Sequence, residues 1–425
     1  MKVEISNDDS EYMYNVIKDI IDKFGPRMPC SPAEAQAADY IKKELEKTCD
    51  EVNVEPFKCH PRAFLGWIRI DILLISISIL NFLLMPFIAP NLFSRILLIT
   101  IAVILNIFAF LILWNEFFNY REFIDKLFKE RDSQNVIGKI KAKGELKKII
   151  IFSGHHDSAL QFNLLRYLKL GYVVIIFLGL GIMFIWMIIS IVIFILIFFD
   201  LEYTLFYNFT IFTFIIGIPG FIGLFFFVSS GEKANKVPGA IDNLSAVAVI
   251  LGLGKYLKTH KQIIPNNIEI RLISFGCEEA GLRGAYRYVA RHLEELKKNN
   301  AEIINMDGIQ NDEKFYIIEY EPTTRTRHSP EVVQKINKSA DLVDLNIKPF
   351  GSGFIEKLIG QISGGTDATA FSKVKIKAAT FASMDFSKFL SFYHQPTDNI
   401  EIVNKIALTN ATKICIGYLI NESNN

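Results

Sequence analysis

Hydrophobic residues along this chain follow two patterns. Four stretches, Ile72–Asn91, Ile96–Trp114, Tyr172–Phe199 and Leu205–Ser230, contain no Asp, Glu, Lys or Arg. Each approaches or exceeds the roughly 20 apolar residues that a bilayer-crossing helix needs. A single such stretch could be a buried soluble helix, but four in two close pairs predict two transmembrane hairpins. Pro86, Pro90 and Pro219 are tolerable there as kinks or ends. Outside the pairs, short β-branched runs alternate with helical periodicity. "SPAEAQAADYIKKELEK" begins with Ser31 as N-cap, Pro32 at the first helical position and Glu34 in place for a capping box. "VNVEPF", "NVIGKIKAK", "KKIIIFSG", "IEIRLISFG", "AEIINM", "FYIIEY" and "AATFAS" read as strands. "SAVAVILGLGKYL" and "RYVARHLEELKK" read as helices, and an amphipathic helix from about Ile402 closes the chain.

This alternation predicts an α/β fold: a three-layer α/β/α domain with a mainly parallel sheet, interrupted by the two hairpins. The expected parts are 1–64, 121–169 and 231–425 for the α/β domain, with hairpins at 65–120 and 170–230. If the three parts build one site, each insertion must return to the side it left, which two-helix hairpins do.

Composition sharpens the picture. The 425 residues are 51% hydrophobic with a mean hydropathy of +0.28, too apolar for an ordinary soluble enzyme. The net charge of +1 argues against a nucleic-acid partner. "MKVEISNDDSEYMY" has no apolar core, so no signal peptide is expected. Five cysteines form no spaced framework, which favours a reducing compartment. On the α/β side of the spans stand Lys58, Arg62, Arg69, Arg121, Lys126, Lys129, Arg131, Arg166, Lys169, Lys233 and Lys236; the other side offers Arg95. That bias predicts a multi-pass protein of a prokaryotic cell membrane with its α/β domain in the cytoplasm.

Candidate chemistry sits at strand and helix ends. "SGHHDSA" ends a strand in His155 and Asp157, which point the same way on extended backbone, with His156 between them. A carboxylate beside an imidazole can fix the tautomer that a metal ligand needs. "PGAIDN" puts Asp242 before an apolar helix, "SFGCEEAG" ends a strand in Glu278 and Glu279, "INMDG" ends another in Asp307, and "FYHQPTDN" brings His394 in a late loop. Each has a simple structural explanation: Asp242 as an N-cap, Asp307 as a turn residue, the glutamates as a solvated pair, His394 as a surface histidine. Together they all fall at the edge of the sheet where α/β chemistry collects. Converging carboxylates would repel one another without cations. Two divalent ions, zinc first among them, would offset that charge and leave room for one bridging hydroxide. Glu278, adjacent to a ligand, is left as a general base.

"FGPRMPCSPAEAQAADYIKKEL", "NVIGKIKAKG", "SGHHDSA", "PGAIDNLSAVAVIL", "SFGCEEAGLRGA", "INMDGI" and "YHQPTDN" resemble, in order, the co-catalytic zinc aminopeptidase family. That family also contains glutamate carboxypeptidases, glutaminyl cyclases and non-enzymatic transferrin receptors. The resemblance implies that His155 and Asp307 hold one zinc, Glu279 and His394 the other, and Asp242 bridges them. It also implies that Asp157 orients His155, Glu278 is the general base, and the substrate is a peptide with a free N-terminus. The chain departs from the family where the second hairpin separates His155 from Asp242, and where "GGTDATAF" (Gly364–Phe371) stands for the family's Ser-Asp-His segment. Thr366 and Asp367 are therefore either substrate contacts or parts of a Gly-rich turn with Asp367 capping a helix.

Cys277 reads as a packing residue, and "TTRTRHSP" as a solvated loop that could also grip a carboxylate. His60, His156, His260, His292 and His328 have no partner pattern. Three functions compete: a membrane-anchored metalloaminopeptidase, a cyclase or amidohydrolase on the same fold, and a non-catalytic receptor or transporter subunit. The full ligand set together with Glu278 favours the first.

Overall fold

The computed structural model describes residues 3–229, 235–354, 356, 357, 360 and 363–423. Ser230, at the end of the fourth apolar stretch, and Lys233, one of the flanking cations, lie outside the described residues. The chain divides into two compact units, one of Met1–Pro61, Lys129–Gln161 and Ser230–Asn425, the other of Arg62–Phe128 and Phe162–Ser229. In chain order the helices are α1 (Asn7–Phe24), α2 (Pro32–Glu46), α3 (Ala63–Ile88), α4 (Leu92–Glu116), α5 (Asn163–Leu168), α6 (Gly171–Phe198), α7 (Thr204–Phe225), α8 (Ser245–Thr259), α9 (Arg283–Lys298) and α10 (Pro330–Leu342). Three further helices, Ala368–Ser372, Phe389–Phe392 and Lys405–Ser423, follow.

The first unit carries an eight-stranded sheet in the order β1-β2-β4-β3-β5-β10-β6-β9. Its strands are β1 (Glu51–Cys59), β2 (Arg131–Ile140), β3 (Lys148–His155), β4 (Ile268–Phe275), β5 (Glu302–Ile309), β6 (Phe315–Ile318), β9 (Ile347–Pro349) and β10 (Lys377–Ser383). β7 (Tyr320–Glu321) and β8 (Thr326–Arg327) form a separate pair. The sheet is mixed, with four of its seven strand pairings parallel. The centre β4-β3-β5-β10 is parallel, but β2 runs antiparallel to both β1 and β4, and β6 antiparallel to β10. Alternate residues of β3 go to opposite faces, as the two-residue period of a strand requires. Ile150 and Phe152 pack with α1, α2, α8 and the C-terminal helix, and Ile149 and Ile151 with α9 and the helix Ala368–Ser372. Those two covered faces make three layers.

Two local expectations change. Ser31 Oγ accepts the Glu34 N–H (3.1 Å), but Glu34 does not close a capping box; its carboxylate accepts from the Cys30 N–H (2.7 Å) instead. The C-terminal helix starts at Lys405 and is not amphipathic. Ile414 to Leu419 are buried in succession, because the helix lies inside the apolar layer.

The second unit consists of α3–α7 with their flanks. It reaches beyond the apolar stretches because Glu116 accepts the N–H groups of Phe123 and Ile124 (both 2.8 Å) and the Phe128 ring closes on Gly66. Polar side chains in its helices pair internally: Asn106 Nδ2 donates to Ser190 Oγ (2.9 Å), and Trp186 Nε1 to Ser78 Oγ (3.0 Å). A Cβ on Gly220 would stand 2.9 Å from the backbone nitrogen of Gly179, so small residues let α6 and α7 meet closely. Among the described residues, five helices are long and apolar enough to cross a membrane. Four of them, α3, α4, α6 and α7, are only 28–39% buried, whereas the fifth (Ala240–Thr259) is 89% buried. Its apolar surface is already spent on the sheet, which distinguishes it from the other four.

Candidate active site

The parallel centre of the sheet delivers the candidate residues to one edge. β3 ends at His155, opposite Phe275 at the end of β4, and the chain then turns through Gly276 to Glu278 and Glu279. β5 carries Asp307 next to Gly308, whose positive φ (77°) turns the strand end. Asp242 precedes α8, and His394 follows the short helix after β10.

These residues form three overlapping groups: one joins His155, Glu278 and Glu279, and the other two share Asp242. Donor atoms of His155, Asp242 and Asp307 lie within 4.8 Å of one another, as do those of Asp242, Glu279 and His394. His155 Nε2 stands 3.2 Å from Asp242 Oδ1, and His394 Nε2 is 3.3 Å from Asp242 Oδ2 and 3.5 Å from Glu279 Oε1. Glu278 Oε2 is 3.7 Å from His155 Nε2. Asp157 is more heavily used than the sequence suggests. Its Oδ1 accepts the Glu278 N–H (3.1 Å) and lies 3.4 Å from His155 Nδ1, while its Oδ2 accepts the Glu279 N–H (3.0 Å). His155 Nδ1 donates to the Asp157 backbone carbonyl (3.2 Å), so this one residue holds the imidazole through its backbone and the Glu278–Glu279 turn through its carboxylate.

Asp242 is not an N-cap; α8 begins without a side-chain cap. Its loop is held by residues that the sequence reading did not single out. Asp398 accepts the N–H groups of Ile241 (2.7 Å) and Asp242 (3.1 Å). Asn243 bonds the Met306 carbonyl (2.9 Å) and the Gly308 N–H (3.2 Å), tying the loop to the strand that carries Asp307. Fully buried Arg27 donates to the carbonyls of His156 (2.8 Å) and Gly239 (3.1 Å). Arg27 and Asp398 stand in the quoted motifs "FGPRMPC" and "YHQPTDN", which is the only signal that could have found them.

Of the two readings offered for the segment Gly364–Phe371, the helix cap is not found. Asp367 does not cap the following helix; both its oxygens are buried without a hydrogen-bond partner. Thr366 gives its hydroxyl to Glu321 (2.7 Å) and also contacts Thr380 Oγ1 (2.6 Å). Glu321 gathers Thr366, Thr324, Thr369 and His328 Nε2 (3.0 Å) around one carboxylate. "TTRTRHSP" is accordingly no solvated loop, since Thr323, Thr324, Thr326 and His328 are buried. His156 points away from the site and meets Ser274 Oγ (2.9 Å). His292 pairs with Glu55 (2.7 Å).

The electrostatics call for cations. Burial, opposed by His155 but reinforced by Glu279, Asp367 and Asp307, holds Glu278 well above the usual carboxylate range. Burial and the Asp242 charge do the same for Glu279, and push Asp307 up to about 7. Against burial, the imidazoles of His155 and His394 hold Asp242 low. His155 Nε2 and Glu279 Oε1 are buried without a well-directed hydrogen bond. Imidazole and carboxylate donors in two groups fit divalent ions of the zinc class, and positive charge there would relieve the crowding.

A three-layer α/β unit thus places histidines and carboxylates together at the ends of its parallel strands. Residues 228–419 match the model of peptidase family M28. The chain is 28% identical over 181 residues to aminopeptidase YwaD of Bacillus subtilis, covering 41% of this chain. It spans about a third (35%) of the length of that curated relative. Among solved structures, the Bacillus subtilis zinc aminopeptidase BSAP aligns over 97% of this chain and 95% of its own, with a TM-score of 0.54 and 15% identity. A glutaminyl cyclase from an Acidobacteriales bacterium aligns over 99% of this chain and 98% of its own, with a TM-score of 0.53 and 12% identity. These structures show the shared fold.

Proposed function

We propose that this protein is a membrane-anchored metalloaminopeptidase that removes N-terminal residues from peptides. The observation that carries this reading is the pair of donor groups sharing Asp242, with Glu278 close to His155 and outside both groups. His155, Asp242 and Asp307 would hold one divalent ion, and Asp242, Glu279 and His394 a second, zinc in both cases. Bound there, the ions would polarise the scissile carbonyl and make water acidic enough to attack near neutral pH. Glu278 takes the proton from the attacking water and returns it to the leaving amine. Asp157 keeps His155 in the tautomer that presents Nε2, and holds the Glu278 turn in register with it. Of the two residues offered as substrate contacts, Asp367 has a carboxylate free to meet a substrate ammonium, while Thr366 is committed to Glu321.

We further propose that α3, α4, α6 and α7 cross the membrane as two hairpins. Exposed Leu73, Ile77, Leu84, Ile104, Ile188, Phe212 and Ile215 support this, because lipid would cover what water would not. Eleven cations against one in the span flanks favour a cytoplasmic α/β unit.

The test is metal analysis of the full chain in detergent, coupled to a panel of dipeptides with free or acetylated N-termini. Two zinc ions at the donor groups that share Asp242, and cleavage confined to free amines, are expected. Efficient cleavage of the acetylated series overturns the aminopeptidase reading. Cyclisation of N-terminal glutamine without hydrolysis would replace it with a cyclase.

A further inference from the structure

Away from the donor groups, the α/β unit brings together three cysteines that are remote in sequence. Cys30 lies in the turn before α2, Cys59 is the last residue of β1, and Cys277 follows β4. Their Sγ atoms form a nearly equilateral triangle, with Cys30–Cys59 at 3.3 Å, Cys30–Cys277 at 3.4 Å and Cys59–Cys277 at 3.5 Å. All three are buried, with relative exposures of 8%, 1% and 0%. None is in a disulfide, and the separations are far longer than the 2.03–2.05 Å of an S–S bond.

Packing alone does not call for this. Three thiols crowded sulfur to sulfur gain little that alanine or valine would not supply, and a buried carboxylate stands beside them. Glu34 is fully buried, and its Oε1 lies 3.5 Å from Cys277 Sγ while accepting the Cys277 N–H (3.0 Å) and the Ser133 hydroxyl (2.9 Å). The positive charges of Arg283 and Arg287 reach Cys59.

We propose that Cys30, Cys59 and Cys277 form a third metal site, taking one thiophilic ion of the zinc class, with Glu34 hydrogen-bonded beside Cys277. The geometry allows it. A zinc–thiolate bond is about 2.3 Å, so an ion equidistant from all three sulfurs would sit about 1 Å above their plane. Charge closes as well. Three thiolates and one carboxylate are balanced by a divalent ion together with the two guanidinium groups. Binding would cross-link the α2 turn, the end of β1 and the segment entering Glu278, three pieces of chain otherwise joined here only by non-covalent contacts. The ligands are soft sulfur where the co-catalytic groups are nitrogen and oxygen, so the two kinds of site select and report metals differently.

That difference supplies the test. The full chain in detergent, fully reduced and saturated with zinc, is titrated with cadmium ions while thiolate-to-cadmium charge-transfer absorption is followed in the ultraviolet. Nitrogen and oxygen donors produce no such band, so the readout ignores the co-catalytic groups and does not depend on peptidase activity. The absorption should rise to a plateau at one cadmium per chain and protect three of the five cysteines from alkylation. Cys59→Ser should lose most of the band, while Cys49→Ser and Cys415→Ser keep it. No band in the reduced wild-type protein at excess cadmium overturns the proposal, and that arm needs no variant to fold. An undiminished band in Cys59→Ser, or protection of fewer than three cysteines, overturns it too.

Discussion

Asp157→Asn isolates the residue on which the candidate site turns. The aspartate makes two backbone hydrogen bonds, one through each oxygen, to consecutive N–H groups of Glu278 (3.1 Å) and Glu279 (3.0 Å), and it faces His155 Nδ1 at 3.4 Å. Asparagine keeps the shape but retains only one acceptor oxygen. Its amide nitrogen must then confront a backbone N–H in either orientation, donor against donor. A hydrogen bond to a charged group is worth roughly 1.5–3 kcal/mol, and each 1.36 kcal/mol is tenfold in rate. Losing one such bond should therefore cost about 10- to 100-fold, the range usual for partners behind a metal ligand. The assay is kcat and KM on a chromogenic aminoacyl anilide, with zinc content measured on the same samples. The fall should appear in kcat and in zinc affinity, with KM little changed. If the variant keeps kcat within about twofold of the parent and binds zinc as tightly, Asp157 does not position the site and the reasoning fails.

Glu278→Gln should retain both metals yet lose at least roughly two orders of magnitude in turnover, the scale of a lost general base; parental rates would remove Glu278 from the mechanism. Asp242→Asn should abolish paired metal occupancy while His394→Ala empties mainly one position, and two ions retained in the Asp242 variant would show that it does not bridge. Burial lowers the pKa of His156 from 6.5 to about 4, so its stabilising contribution is complete above pH 6.5 and is lost as the pH falls through 4. His156→Gln should accordingly lose less melting temperature than the parent between pH 6.5 and 4, and identical pH profiles would contradict this. Single cysteines at Glu202 and Lys298, in a background lacking native thiols, test orientation in intact cells: an impermeant reagent should label position 202 and spare 298, and the reverse labelling inverts the proposed topology.

Periodicity and residue chemistry exposed the two kinds of helix, the strands that carry His155 and Asp307, and the residues that gather around Asp242. Those features are local. An uncharged stretch of about 20 residues or a strand ending in an acid needs no knowledge of the rest of the chain. What depended on distant segments was not legible. Strand direction is one case, since β2 pairs antiparallel to β4 across more than a hundred residues of intervening chain. Side-chain partnership is another. Glu34 has the spacing of a capping box, yet it turns to Cys30 and Cys277, because a buried carboxylate takes whatever donors the fold brings to it. Asp367 has the position of a helix cap but makes no cap bond, and His328 looks unpartnered until Glu321 and Ser372 close on it. The cysteines show the limit most sharply. Cys30, Cys59 and Cys277 have no spacing that links them, and only the convergence of a turn, a strand end and a second strand end places their sulfurs in contact. Sequence alone determined which residues could do chemistry, because that follows from side-chain type and local backbone. Tertiary structure decided which of them meet, because burial and hydrogen bonding are satisfied between segments that only the folded chain brings together.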